Sequence, residues 1–525
     1  MLVIYNARLY TLDPAHPTAT SILIDQGKVI ALGDDITEHL TGKIEKLDLE
    51  GRTVIPGLTD AHIHLDQYSL GLQKVNCETA TRSLCLERVA ERASQTAPGE
   101  WILGHGWNQN EWEQGFGSAA DLDTVTQQHP VYLTAKSLHA GWTNSLALKL
   151  AGISAATADP AGGRIGRDVR GQPDGILFEN AMGLVSAVIP EPNPEQVAEA
   201  IRAAQVKLWR FGLTGVHDFD RRRCFIALQH LRDRGELRLR VLKSLPLEDL
   251  SHAIMLGLRT GFGDDMLRIG GIKAFADGAL GPRTAAMLQP YEGEPDNRGM
   301  LLLDCEELFD YGKQAVENGL SLAVHAIGDR ANHEVLEAFT RLRQLESMRG
   351  IAPLRHRIEH VQIIHPQDAS RLAELGIFAS MQPVHATSDM LMAGRFWGDR
   401  ARYSYAWRTQ LKAGTRLAFG SDAPVESPNP FWGMHAAITR RRRDGSPGTQ
   451  GWYPEQKLSL EEALQAYTSG PAYLAKMENK LGKISPGYLA DLIVVDTDLF
   501  SCKPEQIRDL HPVATMVAGE WVYQS

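Results

Sequence analysis

Two histidines one residue apart, His62 and His64, close the run Pro56-Gly57-Leu58-Thr59-Asp60-Ala61-His62-Ile63-His64. On an extended backbone, side chains alternate in direction, so the two imidazoles project to the same side and can meet one metal ion. A bare pair of this kind is common without metal. Its setting carries more: it follows a short apolar strand and precedes the longest stretch that breaks a strand–helix rhythm. Later strands end in residues of the same kind. The runs SLAVH and HRIEH end in His325 and His360, RLAFGSD ends in Asp422, and Ile272-Lys273-Ala274 sets a lysine within an apolar strand. Each has a plainer reading alone. A strand-end histidine is commonly a hydrogen-bonded structural residue, an aspartate after Gly-Ser commonly a cap, and a strand lysine commonly snorkels to solvent. Together they fall at the C-terminal ends of strands, the one face where barrel enzymes do chemistry.

Such convergence requires parallel strands separated by helices. Eight candidate strands can be counted: Thr53–Ile55 running toward His62, Thr214–Phe219, Arg238–Ser244, Gly271–Phe275, Ser321–Ala326, His356–Val361, Ile377–Met381 and Arg416–Gly420. Helical patterns lie between most of them, as in Glu195–Arg210, Glu306–Glu317 and Asp368–Leu375, each with a glycine just past its end. At the termini the pattern turns to short strands: Leu2–Tyr5, Ser21–Asp25 and Lys28–Leu32, then Asp491–Val495, Thr515–Ala518 and Glu520–Tyr523. The expected fold is α/β, a (β/α)₈ TIM barrel with a small β-sandwich domain formed by both chain termini and a large insertion after barrel strand one. In residues, 1–55 and 478–525 form the composite β domain and 56–477 the barrel. The insertion, about 66–194, is too long for a βα loop of about 2–6 residues and is expected to cover the active site.

Composition sets outer limits. At 525 residues, with 43% hydrophobic and 22% charged residues, the chain has room for a barrel and satellite domains. A net charge of −10 disfavours binding to nucleic acid, and the basic run Arg440–Arg443 reads as a solvated loop. Five scattered cysteines without C-x-x-C spacing argue against a thiolate metal site and suit a reducing compartment. With no signal-peptide pattern and no apolar run of about 18 residues, the expectation is a cytoplasmic protein without a membrane span. A small-molecule substrate is the expected partner, with a homodimer as the base-rate assembly.

The runs PGLTDAHIHL, IKAFADGALG, LAVHAIGDRAN, RIEHVQ and FGSDAPV, in that order, resemble the amidohydrolase superfamily, specifically amidohydrolase family 3 with its N-substituted formamide deformylase-like enzymes. The segments GWNQNEW, HAGWTNSLAL and GKISPGYLADLIVVD extend the resemblance over nearly the whole chain. It implies a binuclear centre in which His62, His64 and Asp422 hold one ion, His325 and His360 the other, and Lys273 bridges both. A protonated lysine has no lone pair, so the implied bridge is a CO₂-derived carbamate on Lys273. Imidazole and carboxylate ligands suit Zn²⁺ best, with Mn²⁺, Fe²⁺ or Co²⁺ as alternatives. The implied activity is hydrolysis of an amide-like C–N bond by a metal-activated hydroxide, with Asp422 as catalytic proton shuttle. An esterase, lactonase or phosphotriesterase on the same centre, or a non-catalytic scaffold, are the competing readings. Trp107, His139, Asp277 and His385 are candidate substrate contacts, and Arg283 and Arg395 would serve an anionic substrate.

Overall fold

The computed structural model describes residues 1–34, 36, 44–137 and 139–525. Eight parallel strands pair in chain order: Leu58–Ile63, Leu213–Asp218, Arg240–Pro246, Leu267–Phe275, Leu322–Ala326, Arg357–His360, Phe378–Met381 and Leu417–Phe419. The sheet closes on itself past its edges. Ile63 bridges Ala423, the His64 N–H donates to the Ala423 carbonyl at 2.8 Å, and the Asp422 N–H donates to the His62 carbonyl at 2.7 Å. These strands are apolar on both sides because barrel packing and a helical layer bury both faces. The helix Pro194–Arg210 turns Val197, Ile201, Ala204 and Leu208 inward, and Cys305–Glu317 starts from an Asp304/Glu307 capping box.

The sequence reading of the first barrel strand needs correction. Thr53–Pro56 pairs with Leu492–Val495 and Arg8–Tyr10 in a terminal sheet, and the barrel strand begins two residues later at Leu58. His62 therefore lies within the strand and His64 just past it. Gly57 lets the chain pass from one sheet to the other: a Cβ there would stand 2.4 Å from the Thr214 hydroxyl oxygen. The helix read over Asp368–Leu375 is also divided, into a 3₁₀ turn at Pro366–Asp368 and a short helix at Arg371–Glu374, with Pro366 opening the first piece. The basic run is not solvated throughout either. Arg440 is fully buried, 4.3 Å and 5.0 Å from the Trp407 and Trp452 rings, and its Nε and Nη1 donate to the Trp452 and Tyr405 carbonyls. Two aromatic faces and two carbonyls take over from water there.

Both termini contribute to one β structure. A four-stranded sheet runs Lys28–Gly33, Ser21–Asp25, Leu2–Tyr5, Glu45–Asp48, and a six-stranded sheet runs Glu520–Gln524, Pro512–Val517, Leu492–Val495, Thr53–Pro56, Arg8–Tyr10, Thr18–Ala19. Ile4, Ile22, Val54, Leu492, Val494 and Met516 share a core between them. These sheets and the barrel make up one compact unit, 1–68 with 197–525.

The second unit, 69–196, has its own six-stranded sheet, ordered Gly163–Arg167, Pro173–Glu179, Ala140–Thr143, Val131–Ala135, Ile102–Trp107, Val75–Asn76. Its core is built on Trp107, Trp112 and Trp142 with Cys77, Cys85 and Leu133. All five cysteines are free thiols, and among the described residues no helix is long and apolar enough to cross a membrane.

Candidate metal centre

Five of the eight strands deliver side chains to one point. His62 Nε2 and His64 Nε2 lie 3.5 Å and 3.4 Å from the same atom, Asp422 Oδ1. One ligand atom each of His62, His360 and Asp422 falls within 4.8 Å of the others, a spacing that a single ion can span. The His360 ring stands 4.9 Å from that of His62 and 4.6 Å from that of His325. Lys273 is buried with its Nζ unpartnered among the described residues, 4.7 Å and 4.8 Å from the Phe219 and Phe275 rings. Burial, against the attraction of Glu359 and Asp422, lowers its pKa to about 8.

Each imidazole has one nitrogen already engaged. His62 Nδ1 meets Glu359 Oε2 at 2.6 Å, His64 Nδ1 meets Asp220 Oδ1 at 3.3 Å, and His360 Nδ1 meets Gln382 Oε1 at 2.9 Å. His325 Nε2 donates to the Gly278 carbonyl at 2.9 Å. The second ring nitrogen is then the one that can carry a lone pair to an ion, because the outer partner fixes the tautomer.

Charge states agree with that division. Burial lowers His62 to about 4 and His325 to about 3, and burial with the neighbouring His325 holds His360 well below its ordinary value, so all three are neutral at pH 7. His64 is the exception: burial opposes its charge, but hydrogen bonds to Asp220 and Asp422 push it up to about 9. An ion bound there would displace that proton. Asp422 lies well below the carboxylate range, burial being outweighed by His62, His64 and His360. Neutral imidazoles, an anionic carboxylate and a buried lysine without a partner form a donor set that fits a divalent ion.

The backbone is strained at two of these positions. His360 has φ 76° and Asp422 φ 60°, left-handed values that non-glycine residues avoid and that surrounding structure must hold in place. Gly420 meets a different need, since a Cβ there would stand 2.4 Å from His62 N.

The other candidates separate. His385, in the first turn of the helix Pro383–Trp397, has its Nε2 buried, unpartnered and 3.9 Å from Asp422 Oδ2, with its ring parallel to that of His360. Asp277 is engaged elsewhere: its carboxylate accepts the N–H groups of Ala286, Ile327 and Gly328 at 2.8, 2.9 and 2.8 Å. It holds the loop behind His325, whose Nε2 is 3.6 Å away, and does not present a free carboxylate to a substrate. Trp107 is a core residue of the second unit, fully buried with its indole N–H donating to the Leu133 carbonyl. His139 is exposed on that unit and pairs with Glu179. Arg283 pairs with Glu294, and Arg395 lies over the Phe396 ring. Sequence reasoning passed over Glu359, Asp220 and Gln382, which orient three of the candidate ligands. Glu359 has a visible signal: Arg357 and Glu359 alternate in a strand that buries both faces and ends in the candidate ligand His360.

A closed parallel barrel with four imidazoles, a lysine and an aspartate at its C-terminal strand ends has the architecture of a metal-dependent hydrolase. The chain belongs to the amidohydrolase family, whose family model matches residues 45–523. It is thus an enzyme, a hydrolase acting on carbon–nitrogen bonds other than peptide bonds. Protein LONG AFTER FAR-RED 3 of Arabidopsis thaliana is 33% identical, over 99% of this chain and 91% of its own. N-substituted formamide deformylase of Arthrobacter pascens is 28% identical, over 100% of this chain and 98% of its own. Among solved structures, an uncharacterized metal-dependent hydrolase from Pyrococcus furiosus superposes with a TM-score of 0.77 at 29% identity, covering 95% of this chain and 99% of that one.

Proposed function

We propose that the chain hydrolyses the C–N bond of an N-formyl or N-acyl amine at a centre of two divalent ions, Zn²⁺ being the best suited. The observation that carries this reading is the approach of two imidazole nitrogens, of His62 and His64, to one oxygen of Asp422. His62, His64 and Asp422 would hold one ion, His325 and His360 the other, with Lys273 bridging as its carbamate. Ions there would supply acidification of water and polarisation of the substrate carbonyl. Asp422 takes the proton of the attacking water on its carboxylate and passes it to the leaving nitrogen. His385 offers its unpartnered Nε2 to the substrate. Burial lowers the Lys273 pKa to about 8, so the neutral amine, the form that adds CO₂, is reached at far less cost than for an exposed lysine. The Arthrobacter relative, by its name a deformylase of N-substituted formamides, supports an N-formyl substrate as the first to test.

The test is a panel of N-formyl amines, N-acyl amines, lactones and aryl phosphotriesters, assayed with the Zn²⁺-loaded protein. Highest kcat/KM on an N-formyl or N-acyl amine is expected. A lactone or phosphotriester turned over faster than every amide would overturn the assignment.

A further inference from the structure

Beneath the ligand side chains, four buried residues form a continuous chain inside the barrel: His62, Glu359, Arg357 and His217. Arg357 and Glu359 are two apart on the sixth barrel strand and share a face. Arg357 Nε stands 2.7 Å from Glu359 Oε1, while Glu359 Oε2 meets His62 Nδ1 at 2.6 Å. Arg357 Nη1 donates to His217 Nδ1 at 3.0 Å and to the Ala61 carbonyl at 3.3 Å. The Phe219 ring packs against both His62 and Arg357, 4.2 Å from the His62 ring and 4.8 Å from the Arg357 guanidinium carbon.

Proton positions follow from what each group can do. A guanidinium only donates, so His217 Nδ1 is the bare nitrogen and its ring proton sits on Nε2. A carboxylate ion-paired with a guanidinium stays anionic and only accepts, so His62 carries its proton on Nδ1 and its lone pair on Nε2, the atom facing Asp422. The other three ligand imidazoles rest on weaker partners: a backbone carbonyl for His325, a neutral amide for His360, and an aspartate at 3.3 Å for His64. A buried ion pair is a poor stabiliser compared with apolar residues of the same volume, so stability alone does not account for Arg357 and Glu359.

We propose that Arg357 and Glu359 are positioning residues that lock the tautomer of His62 and raise its donor strength, making it the anchoring ligand of the centre. The proposal rests on the reading of His62 as a metal ligand. The test is the double variant Arg357→Met/Glu359→Gln, which removes both charges together and leaves no lone buried ion. Its Zn²⁺ affinity, measured by competition with a chromophoric chelator, is expected to fall about 10–100-fold. The thermal midpoint of its metal-free form should stay close to that of the wild type. Wild-type Zn²⁺ affinity in the double variant would overturn the proposal.

Neutron diffraction on the wild-type protein decides the matter even where the variant does not fold. A proton on His62 Nδ1 and on His217 Nε2, with Glu359 bare, is expected, and a His62 protonated on Nε2 or a protonated Glu359 would overturn the lock. Amide turnover is not the readout. Loss of affinity in a chain that hydrolyses no amide would sink the proposed substrate alone, whereas unchanged affinity in an active amidase would sink the lock alone.

Discussion

Asp60 and Ser421 join the first and last barrel strands across the closing seam. The Ser421 N–H donates to Asp60 Oδ1 at 2.9 Å and its hydroxyl to Oδ2, and the same Oδ1 accepts the His62 N–H at 3.0 Å. One carboxyl thus fixes the backbone beside two candidate ligands, His62 and Asp422. Burial, against those hydrogen bonds, pushes its pKa up to about 7. Asp60→Ala would leave two buried N–H groups without an acceptor, at about 1–3 kcal/mol each. The expected loss in urea denaturation is about 2–6 kcal/mol. Asp60→Asn keeps an oxygen for both N–H groups and should lose less than half as much. Equal losses for the two variants would mean that the seam does not depend on this acceptor.

Gly420 sits in the same seam for reasons of space. An added Cβ would lie 2.4 Å from His62 N and 2.7 Å from Asp60 Oδ1, and backbone atoms cannot yield without opening the barrel. Gly420→Ala is therefore expected to cost about 1–3 kcal/mol, as overpacked sites do. It should also weaken Zn²⁺ binding, because the seam sets the separation of His62 from Asp422. A variant with wild-type urea midpoint and wild-type metal affinity would contradict this.

The candidate centre is legible in the sequence as far as its residues obey a positional rule. His325, His360 and Asp422 each lie at or just past the C-terminal end of an apolar strand, and parallel strands in a barrel must present those ends on one face. The residues that orient the ligands obey no such rule. Glu359 meets His62 across 297 positions of sequence, and only the closed barrel brings them together. The misplaced first strand has a similar cause. Thr53–Pro56 is a short apolar β-branched run, and such a run looks alike whether it enters a barrel or a terminal sheet; its partner Leu492–Val495 lies at the other end of the chain. Trp107 is a candidate substrate contact because tryptophans line pockets, and the structure places it in the second unit's own core, a position the sequence pattern does not distinguish from a pocket wall.

Lys273 yields a prediction that separates folding from metal binding. Among the described residues its Nζ makes no hydrogen bond, and it faces two phenylalanine rings, so Lys273→Met removes no partner there and leaves a side chain suited to that space. The variant should fold with a thermal midpoint equal to or above that of the metal-free wild type. After loading and dialysis, emission spectrometry should find at most one ion per chain, against two in the wild type. The wild type, measured by native mass spectrometry, should carry the mass of one added CO₂. Two ions retained by the variant would remove Lys273 from the bridge.

His435 sets a pH dependence away from the metal centre. It lies on the helix Pro430–Thr439, 1% exposed, with Nε2 buried and unpartnered. Burial, then the charges of Arg508 and Arg441, lower its pKa from 6.5 to about 4. Between those values the unfolded chain binds a proton that the folded chain refuses. Its contribution is therefore present in full above pH 6.5 and is lost as pH falls toward 4. At about 1.4 kcal/mol per pH unit, the loss reaches about 3.5 kcal/mol at most. The buried imidazoles of His62 and His325 act with the same sign, so the wild type should lose stability over this window for several reasons at once. His435→Gln isolates one of them: it removes the titrating group, and its free energy of unfolding should fall less steeply between pH 6.5 and 4. Urea melts of both proteins across that range give the comparison, and parallel curves would show that His435 is protonated in the folded state as readily as in the unfolded chain.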